Sequence, residues 1–378
     1  MLRSRFINFL NLNQEIKHID SYPLERSHIS IRIKRMDTFN QAPCQHLALE
    51  KSLLGRLPPK LILEIADCLP PENAMHFSLC CRYLYNTIAV KCILALKNPL
   101  DLPAFLVLLA RDLPLHIACK YCKKLHATSS AAQHIPSNRT LNDLRKMLCW
   151  VSHIDKLCAE YIHDEFSSTV FQMTMKAYRH GLQYSHLVDL LSARALTWSD
   201  QRDGKGCVFQ EFSIAKLVES SLMIRQMTVL FIPSRNGHPQ PWKLYHPTVC
   251  SHMKTVSRWA ERKSGWYNSI FDEDWEEFNR CWNCLTEYRL DLKEIGKHGH
   301  AIFFTRWTNL GRGLDENDRE FRKHLDGSRK YEEEFPYVEP GTVCGAFEGQ
   351  DSARFRPYTF WGTGDRRVVL AKAKHWLQ

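Results

Sequence analysis

The stretch Leu57–Pro71, LPPKLILEIADCLPP, predicts a short apolar helix with prolines at both ends. A proline in the first helical turn costs no hydrogen bond, because the N–H group that it lacks has no partner there. Pro70 and Pro71 end the helix, since a residue that precedes a proline disfavours the α region. Four aliphatic side chains form one broad face of this helix: Leu61, Ile62, Ile65 and Leu69.

A second helix is predicted directly after the first, in ENAMHFSLCCRYLYNTI (residues 72–88), with Phe77, Leu84 and Ile88 as its apolar stripe. Helical units of about 40 residues usually need a metal, a disulfide or a partner, because they cannot bury enough apolar surface alone. Two interpretations follow. The apolar faces pack on the remainder of this chain, or a helix of another protein covers them.

Residues 54–88, LGRLPPKLILEIADCLPPENAMHFSLCCRYLYNTI, resemble an F-box. In that family a Leu-Pro pair opens an apolar helix and a Cys-Arg segment follows, matched here by Leu57-Pro58 and Cys81-Arg82. F-boxes dock on a Skp-type adaptor, which joins them to a cullin–RING ubiquitin ligase. The resemblance therefore implies that six residues face the adaptor: Leu57, Pro58, Leu61, Ile62, Ile65 and Leu69.

This sequence departs from the family pattern at a few positions of the F-box-like segment. Lys60 stands where an acidic residue is common, and Phe77 and Cys80 replace a Leu and a Val. The forms CRYLYN (residues 81–86) and FLVLLARDLP (residues 105–114) resemble F-box proteins of filamentous fungi most. None of these departures interrupts the apolar face of the first helix.

The composition is that of an ordinary globular chain, with 378 residues, 44% hydrophobic residues and a net charge of +10. No stretch approaches the roughly 18–20 apolar residues that span a bilayer, so no membrane segment is predicted. Fourteen cysteines without a secretory signal predict reduced thiols in an intracellular compartment, either cytoplasm or nucleus. We expect a disordered or mis-assigned leader at residues 1–50, an F-box at 53–97 and an α+β region at 100–378.

The region after the F-box changes from helical to β-type patterns. Residues 141–200 are predicted to be mostly helical. CVFQEFSIAKLVESSLMIRQMTVLFIPS (residues 207–234) predicts two strands and a turn, because it is rich in β-branched and large apolar residues. TEYRLDLKEI (286–295) alternates as a half-buried strand, with HAIFFTRWTNLGRG (300–313) as its hairpin partner. The predicted fold class is α+β, with a helical F-box, a helical segment and a small antiparallel β region.

Two CxxC pairs suggest a metal site. CKYCKKLH gives Cys119 and Cys122, followed by His126 in a predicted loop at residues 114–140, and CWNCLTEY gives Cys281 and Cys284. Two residues between thiolates let a tight turn present both sulfurs to one zinc ion. We therefore predict a structural zinc site with four shared ligands, which would link the helical and β regions: Cys119, Cys122, Cys281 and Cys284.

Several alternatives to the shared zinc site stay open. The segment PTVCSHM provides Cys250 and His252 as a third possible source of ligands, so a site that uses Cys250 or His252 is one alternative. The two CxxC pairs are also compatible with no metal at all or with a redox role. Fungal F-box-like proteins are similar in carrying CxxC followed by Leu-His, then Cys-x-His, then a second CxxC.

The sequence contains no Walker loop, dinucleotide-binding glycine motif, nucleophile elbow or H-E-x-x-H motif, so we expect no enzyme. The predicted function is that of an F-box substrate receptor in a cullin–RING ubiquitin ligase, with an unknown protein substrate. The alternatives are a zinc-stabilised nucleic-acid-binding protein and an orphan scaffold. The net charge of +10 permits nucleic acid, but the aromatic residues lie in apolar segments rather than among Lys and Arg.

Overall fold

A computed structural model of the chain describes eleven ranges of residues: 52–96, 101–119, 122–136, 153–193, 196–200, 207–233, 248–253, 278–314, 318–325, 338–349 and 354–374. The predicted leader at residues 1–50 lies outside these ranges. The chain divides into two compact units, Met1–His126 and Ala127–Gln378.

The described part of the first unit is helical and ends in a small hairpin. Its elements are α1 (Pro59–Asp67), α2 (Pro71–Ser78), α3 (Arg82–Ala95), α4 (Asp101–Arg111), β1 (His116–Cys119) and β2 (Lys124–Ala127), preceded by a 3-10 turn at Leu53–Arg56. Pro59 and Pro71 stand in the first turns of α1 and α2, which confirms the predicted role of the prolines. The predicted loop at residues 114–140 was wrong, because β1 pairs with β2 and a 3-10 helix, Thr128–His134, follows them.

The single helix predicted for residues 72–88 was also wrong. The chain leaves the helical path between Ser78 and Arg82, where Cys81 is extended with φ −154° and ψ 166°. The Ser78 hydroxyl donates a hydrogen bond to the Met75 carbonyl at 2.6 Å, an i−3 bond that ends α2 locally. The change of direction lets both α2 and α3 turn an apolar side toward one core.

That core gathers side chains from the four α-helices in the described part of the first unit. Its fully buried members include Ile62 of α1, Met75 of α2, Ile88 of α3 and Phe105 of α4. Because α4 contributes to this core, the first compact unit, Met1–His126, contains more than the F-box, and the predicted F-box bounds of 53–97 stay a prediction.

The second unit is built on a six-stranded antiparallel sheet with the order β3-β4-β5-β8-β7-β6. Its strands are β3 (Leu196–Asp200), β4 (Cys207–Val218), β5 (Ser221–Pro233), β6 (Asn279–Arg280), β7 (Thr286–Glu294) and β8 (Gly299–Asn309). Its α-helices are α5 (His153–Tyr161), α6 (Ser168–Arg179), α7 (Ser185–Leu190), α8 (Arg319–Leu325), α9 (Thr342–Glu348) and α10 (Thr363–Lys374), with 3-10 turns at Gly296–His298 and Pro357–Thr359. The predicted β4–β5 and β7–β8 hairpins are confirmed. Of the range 141–200 that was predicted to be mostly helical, residues 153–193 contain three helices, whereas Leu196–Asp200 forms β3.

Both faces of this sheet are covered, which the sequence did not predict. On one face Phe303 packs against Trp361 and Val369 of the C-terminal segment. On the other face Tyr288 and Phe304 pack against a group of cysteines. The prediction that β7 is half-buried was therefore wrong, since Arg289 has no exposed surface and is paired with Asp291.

No helix within the described ranges combines the length and the hydropathy that a membrane crossing requires.

Candidate functional site

The first candidate site is the outer face of α1. Leu61 and Ile65 lie one helical turn apart and expose 42% and 38% of their surface. Ile62 and Ala66 lie roughly 100° further around the same helix and are buried in the core. The apolar face of α1 is therefore broad, and the core of its own unit covers only part of it.

Exposed apolar side chains are concentrated in the first unit. Among the described residues, eight of the thirteen exposed large apolar side chains belong to it: Leu53, Leu54, Leu61, Ile65, Val90, Leu94, Val107 and Leu115. Leu61 and Ile65 belong to this set and lie one turn apart on the same helix, α1. We call Pro58, Leu61 and Ile65 the α1 face, after the helix that presents them.

The six residues implied by the F-box resemblance divide into three groups in the structure. Pro58, Leu61 and Ile65 are exposed, Leu57 and Leu69 are half-buried against the core, and Ile62 is fully buried. The structure thus brings Leu61 and Ile65 together at the surface. A partner could reach Ile62 only if the helices of the unit separated.

Charged groups border the α1 face. Lys60 and Glu64 are exposed on the same helix. Asp67, at the end of α1, forms an exposed ion pair with Lys91 of α3. An apolar centre with a polar border is the usual composition of a protein–protein interface.

The second candidate site lies in the second unit, where four potential metal ligands meet. The thiol sulfurs of Cys250, Cys281 and Cys284 and one ring nitrogen of His252 all lie within 4.8 Å of one another. The three cysteines are buried, and His252 is partly exposed. We call these residues the four-ligand cluster.

One half of the cluster is a short turn at residues 248–253. Cys250 and Met253 form an antiparallel bridge, and the Val249 N–H donates to the Met253 carbonyl at 3.1 Å. Arg306 of β8 anchors this turn, because its Nη1 donates to the carbonyls of Thr248 at 2.9 Å and Val249 at 3.1 Å. The same guanidinium donates through Nη2 to the carbonyl of Ile162.

The other half is the turn that joins β6 to β7 and contains the second CxxC pair. The Cys281 N–H donates to the Thr286 carbonyl at 2.9 Å, and the Thr286 N–H donates to the Cys284 carbonyl at 2.8 Å. The backbone N–H of Asn283 points at the Cys281 sulfur at 3.4 Å. The turn therefore holds both sulfurs on one side, next to Cys250.

Two hydrogen bonds next to the four-ligand cluster fix the orientation of the His324 ring. Its Nε2 lies 2.7 Å from the Asn309 carbonyl and its Nδ1 lies 3.3 Å from the Thr286 hydroxyl. Burial lowers the pKa of His324 to about 4, so the ring is neutral at physiological pH. In that state Nε2 donates to the carbonyl, Nδ1 accepts from Thr286, and the Thr286 oxygen accepts from the Cys284 thiol at 3.3 Å.

The three thiols affect each other's ionisation. Hydrogen bonds from Cys250 and Cys284 lower the pKa of the Cys281 thiol well below its usual range. Complete burial raises the pKa of Cys284. A thiolate is the form that binds a metal, and Cys281 is the thiol of the three whose pKa is lowered.

A smaller group of potential ligands lies on the β1–β2 hairpin of the first unit. The sulfurs of Cys119 and Cys122 and one ring nitrogen of His126 lie within 4.8 Å of one another, with 3.1 Å between Cys122 Sγ and His126 Nε2. Lys123 adopts a left-handed φ of 51°, which turns the chain back toward His126. This hairpin group brings together three ligands.

Each CxxC pair is thus accompanied by other ligands of its own unit. Cys281 and Cys284 meet Cys250 and His252, which is one of the alternatives that the sequence left open, and Cys119 and Cys122 meet His126. The sharing of one ion by the four CxxC cysteines stays a prediction. Sequence reasoning missed Arg306, because a single arginine in a strand gives no signal that it anchors a distant turn.

Comparison with known proteins gives one positive finding. A family model of the F-box domain matches residues 54–94, which confirms the resemblance carried by α1, α2 and α3. The resemblance to the fungal type stays a prediction. Searches of curated proteins and of solved structures found no match to this chain.

Proposed function

We propose that this chain, which contains an F-box domain at residues 54–94, is a substrate receptor of a cullin–RING ubiquitin ligase and binds a Skp-type adaptor. The observation that supports the proposal is the exposed part of the apolar face of α1. The core of the unit covers Ile62 and Ala66, whereas Leu61 and Ile65 of the same broad face stay exposed.

Burial of the α1 face by an adaptor would contribute favourable but limited free energy, because the exposed apolar area is small. Leu61 and Ile65 each keep about two fifths of their surface exposed, so covering them contributes on the order of 1 kcal/mol per side chain. Association costs offset part of this gain, and the surrounding exposed leucines have to add to it. A single charge placed at residue 65 would then prevent adaptor binding, because the adaptor would bury that charge without a counter-charge.

The second unit supplies the substrate-recruiting or regulatory surface in this proposal, and the chain has no catalytic role of its own. Ubiquitin transfer belongs to the other subunits of the ligase. The proposed location is the cytoplasm, the nucleus or both, where the adaptor and reduced cysteines would coexist. The proposed cofactor is zinc, since thiolate and imidazole ligands select it over magnesium and calcium.

Adaptor retention tests the proposal directly. The full chain and its Ile65→Arg variant are each co-expressed with a Skp-type adaptor and purified through a tag on the chain. Val107→Arg is the matched control, because Val107 is also an exposed apolar residue of the first unit, at 57%, but lies outside the F-box. The native chain and the control are expected to retain the adaptor, and Ile65→Arg is expected to lose it while its thermal unfolding midpoint stays unchanged.

Two results would overturn the adaptor proposal. One is a native chain that retains no adaptor, and the other is an Ile65→Arg variant that retains as much as Val107→Arg. Either result would mean that α1 packs in the core of its own unit and does not bind an adaptor. Retention on single-stranded nucleic acid with a steep salt dependence would then favour the nucleic-acid alternative.

A further inference from the structure

We propose that Cys250, His252, Cys281 and Cys284 bind one zinc ion as a closed structural site of the second unit, independently of Cys119 and Cys122. The inference does not rest on adaptor binding. It replaces the idea of one ion shared between distant CxxC pairs with a site that is complete within one unit.

The distances in the four-ligand cluster fit a tetrahedral ion. Zinc lies about 2.3 Å from a thiolate and about 2.0–2.1 Å from an imidazole nitrogen, so tetrahedral ligand atoms lie roughly 3.5–3.8 Å apart. Cys250 Sγ and His252 Nδ1 are 3.8 Å apart, and no pair in the cluster exceeds 4.8 Å. A small contraction around an ion is enough to complete the geometry.

The type of ligand selects the metal. Three thiolates and one imidazole are soft to borderline donors that suit zinc, whereas magnesium and calcium prefer oxygen ligands. Four protein ligands close the coordination shell, so no position is open for a catalytic water. The site is therefore structural rather than catalytic.

The surroundings of the cluster are arranged as the outer shell of a metal site. The Asn283 N–H donates to Cys281, a contact that stabilises the thiolate form of a ligand. The carbonyls of Thr248 and Val249, directly before Cys250, accept hydrogen bonds from Arg306. Such outer contacts orient the ligands before the ion binds, which is their usual role in metal proteins.

The structure also suggests what the ion holds together. Cys250 and His252 belong to the turn at residues 248–253, whereas Cys281 and Cys284 belong to the turn between β6 and β7. An ion bound to all four joins two segments that are thirty-one positions apart in sequence, counted from Cys250 to Cys281. Because the unfolded chain does not hold the four ligands together, the binding free energy of the ion would add to the stability of the folded unit.

Zinc content separates this proposal from the shared site. The full chain and its variants are purified under reducing conditions from zinc-supplemented cells, and zinc per chain is measured by mass spectrometry. Cys281→Ser and Cys250→Ser are each expected to lose about one zinc equivalent relative to the native chain. Cys119→Ser is expected to keep that equivalent, and Cys344→Ala, a buried cysteine of the same unit outside the cluster, is expected to lose none.

A second experiment avoids variants that fail to fold. The native chain is stripped with a chelator and titrated with Co²⁺, whose absorption reports tetrahedral thiolate coordination. His252→Cys is expected to bind one ion at this site with an absorption shifted by the fourth sulfur. Because it keeps four ligands, it is also expected to unfold at a temperature close to that of the native chain.

Three results would overturn the site. They are a native chain with less than about a tenth of a zinc equivalent, unchanged zinc in both Cys250→Ser and Cys281→Ser, and loss of the same single ion in Cys119→Ser. The last result would restore the shared site. Each of these outcomes leaves the adaptor proposal untouched, since that proposal is tested on a different residue and a different partner.

Discussion

His163 is a buried, uncharged histidine whose ring makes one hydrogen bond. Its Nε2 lies 2.9 Å from the Leu191 carbonyl, while its Nδ1 is buried without a hydrogen-bond partner among the described residues. Burial lowers the pKa of His163 from 6.5 to about 4. A protonated ring would place an additional N–H in a site that offers no acceptor, so the folded state excludes the charged form.

This histidine makes the stability of the second unit depend on pH. Between about pH 6.5 and pH 4 the unfolded state binds more protons than the folded state, so the free energy of unfolding falls as the pH falls. Going from about pH 7.5 to about pH 5, His163 should account for a loss of about 2 kcal/mol. The contribution is fully present above pH 6.5.

Urea unfolding of His163→Gln at the two pH values measures this contribution. The glutamine amide can still donate to the Leu191 carbonyl but does not titrate, so the variant should lose about 2 kcal/mol less than the native chain between the two pH values. His186→Gln, an exposed position, is the control and should behave as the native chain does. Equal pH dependence in the native chain and His163→Gln contradicts the prediction.

At the scale of elements, a buried ion pair fixes α9 against the sheet. Arg225 Nη1 of β5 lies 2.9 Å from one Glu348 oxygen and 3.0 Å from the other, and both side chains are almost completely buried. The Trp307 N–H donates to the same carboxylate at 2.9 Å. The Arg225 guanidinium also lies over the Phe360 ring, 4.0 Å from its centroid.

Removing only the negative charge should destabilise the second unit. Glu348→Gln leaves Arg225 buried without a counter-charge, and breaking a buried pair in this way costs about 3 kcal/mol of unfolding free energy. Urea unfolding checks the value. The double variant Arg225→Met with Glu348→Leu should recover part of the loss, because it removes both charges. A Glu348→Gln variant as stable as the native chain would show that the pair contributes little.

The elements that local chemistry determines were predictable. Prolines mark the starts of α1 and α2. The long segment rich in β-branched residues predicted β4 and β5, even though the turn between them, Glu219–Ser220, contains no glycine. The helix break at Cys81 and the burial of Arg289 were missed. Both depend on what packs against the segment from elsewhere in the chain, and a local pattern does not contain that information.

At the scale of the whole molecule, the candidate sites were predictable in their chemistry but not in their grouping. Spacing identified every cysteine of the four-ligand cluster as a potential ligand. It did not show that Cys250 meets Cys281, because sheet pairing and the anchoring by Arg306 bring the two turns together. The F-box was predictable as a domain, since its helices are contiguous in sequence, but the break between α2 and α3 was not. Only the structure shows which side of α1 remains exposed.

Two sites in two compact units should be separable by mutation. Ile65→Arg is expected to lose the adaptor and keep the zinc of the second unit, because it changes only a surface of the first unit. Cys281→Ser is expected to lose that zinc and keep the adaptor, because α1 and the core beneath it are formed entirely by residues of the first unit. Adaptor retention and zinc per chain are measured on the same monodisperse preparations of both variants.

The results expected for Ile65→Arg and Cys281→Ser require that the F-box folds without a metal ion in the second unit. Its core is formed by α1 to α4, with Ile62, Met75 and Phe105 fully buried, so it has a hydrophobic interior of its own. Loss of the adaptor in Cys281→Ser, with size and helix content unchanged, would contradict this independence. It would mean that the metal site controls the presentation of the α1 face, and zinc would then regulate ligase assembly instead of only stabilising one unit.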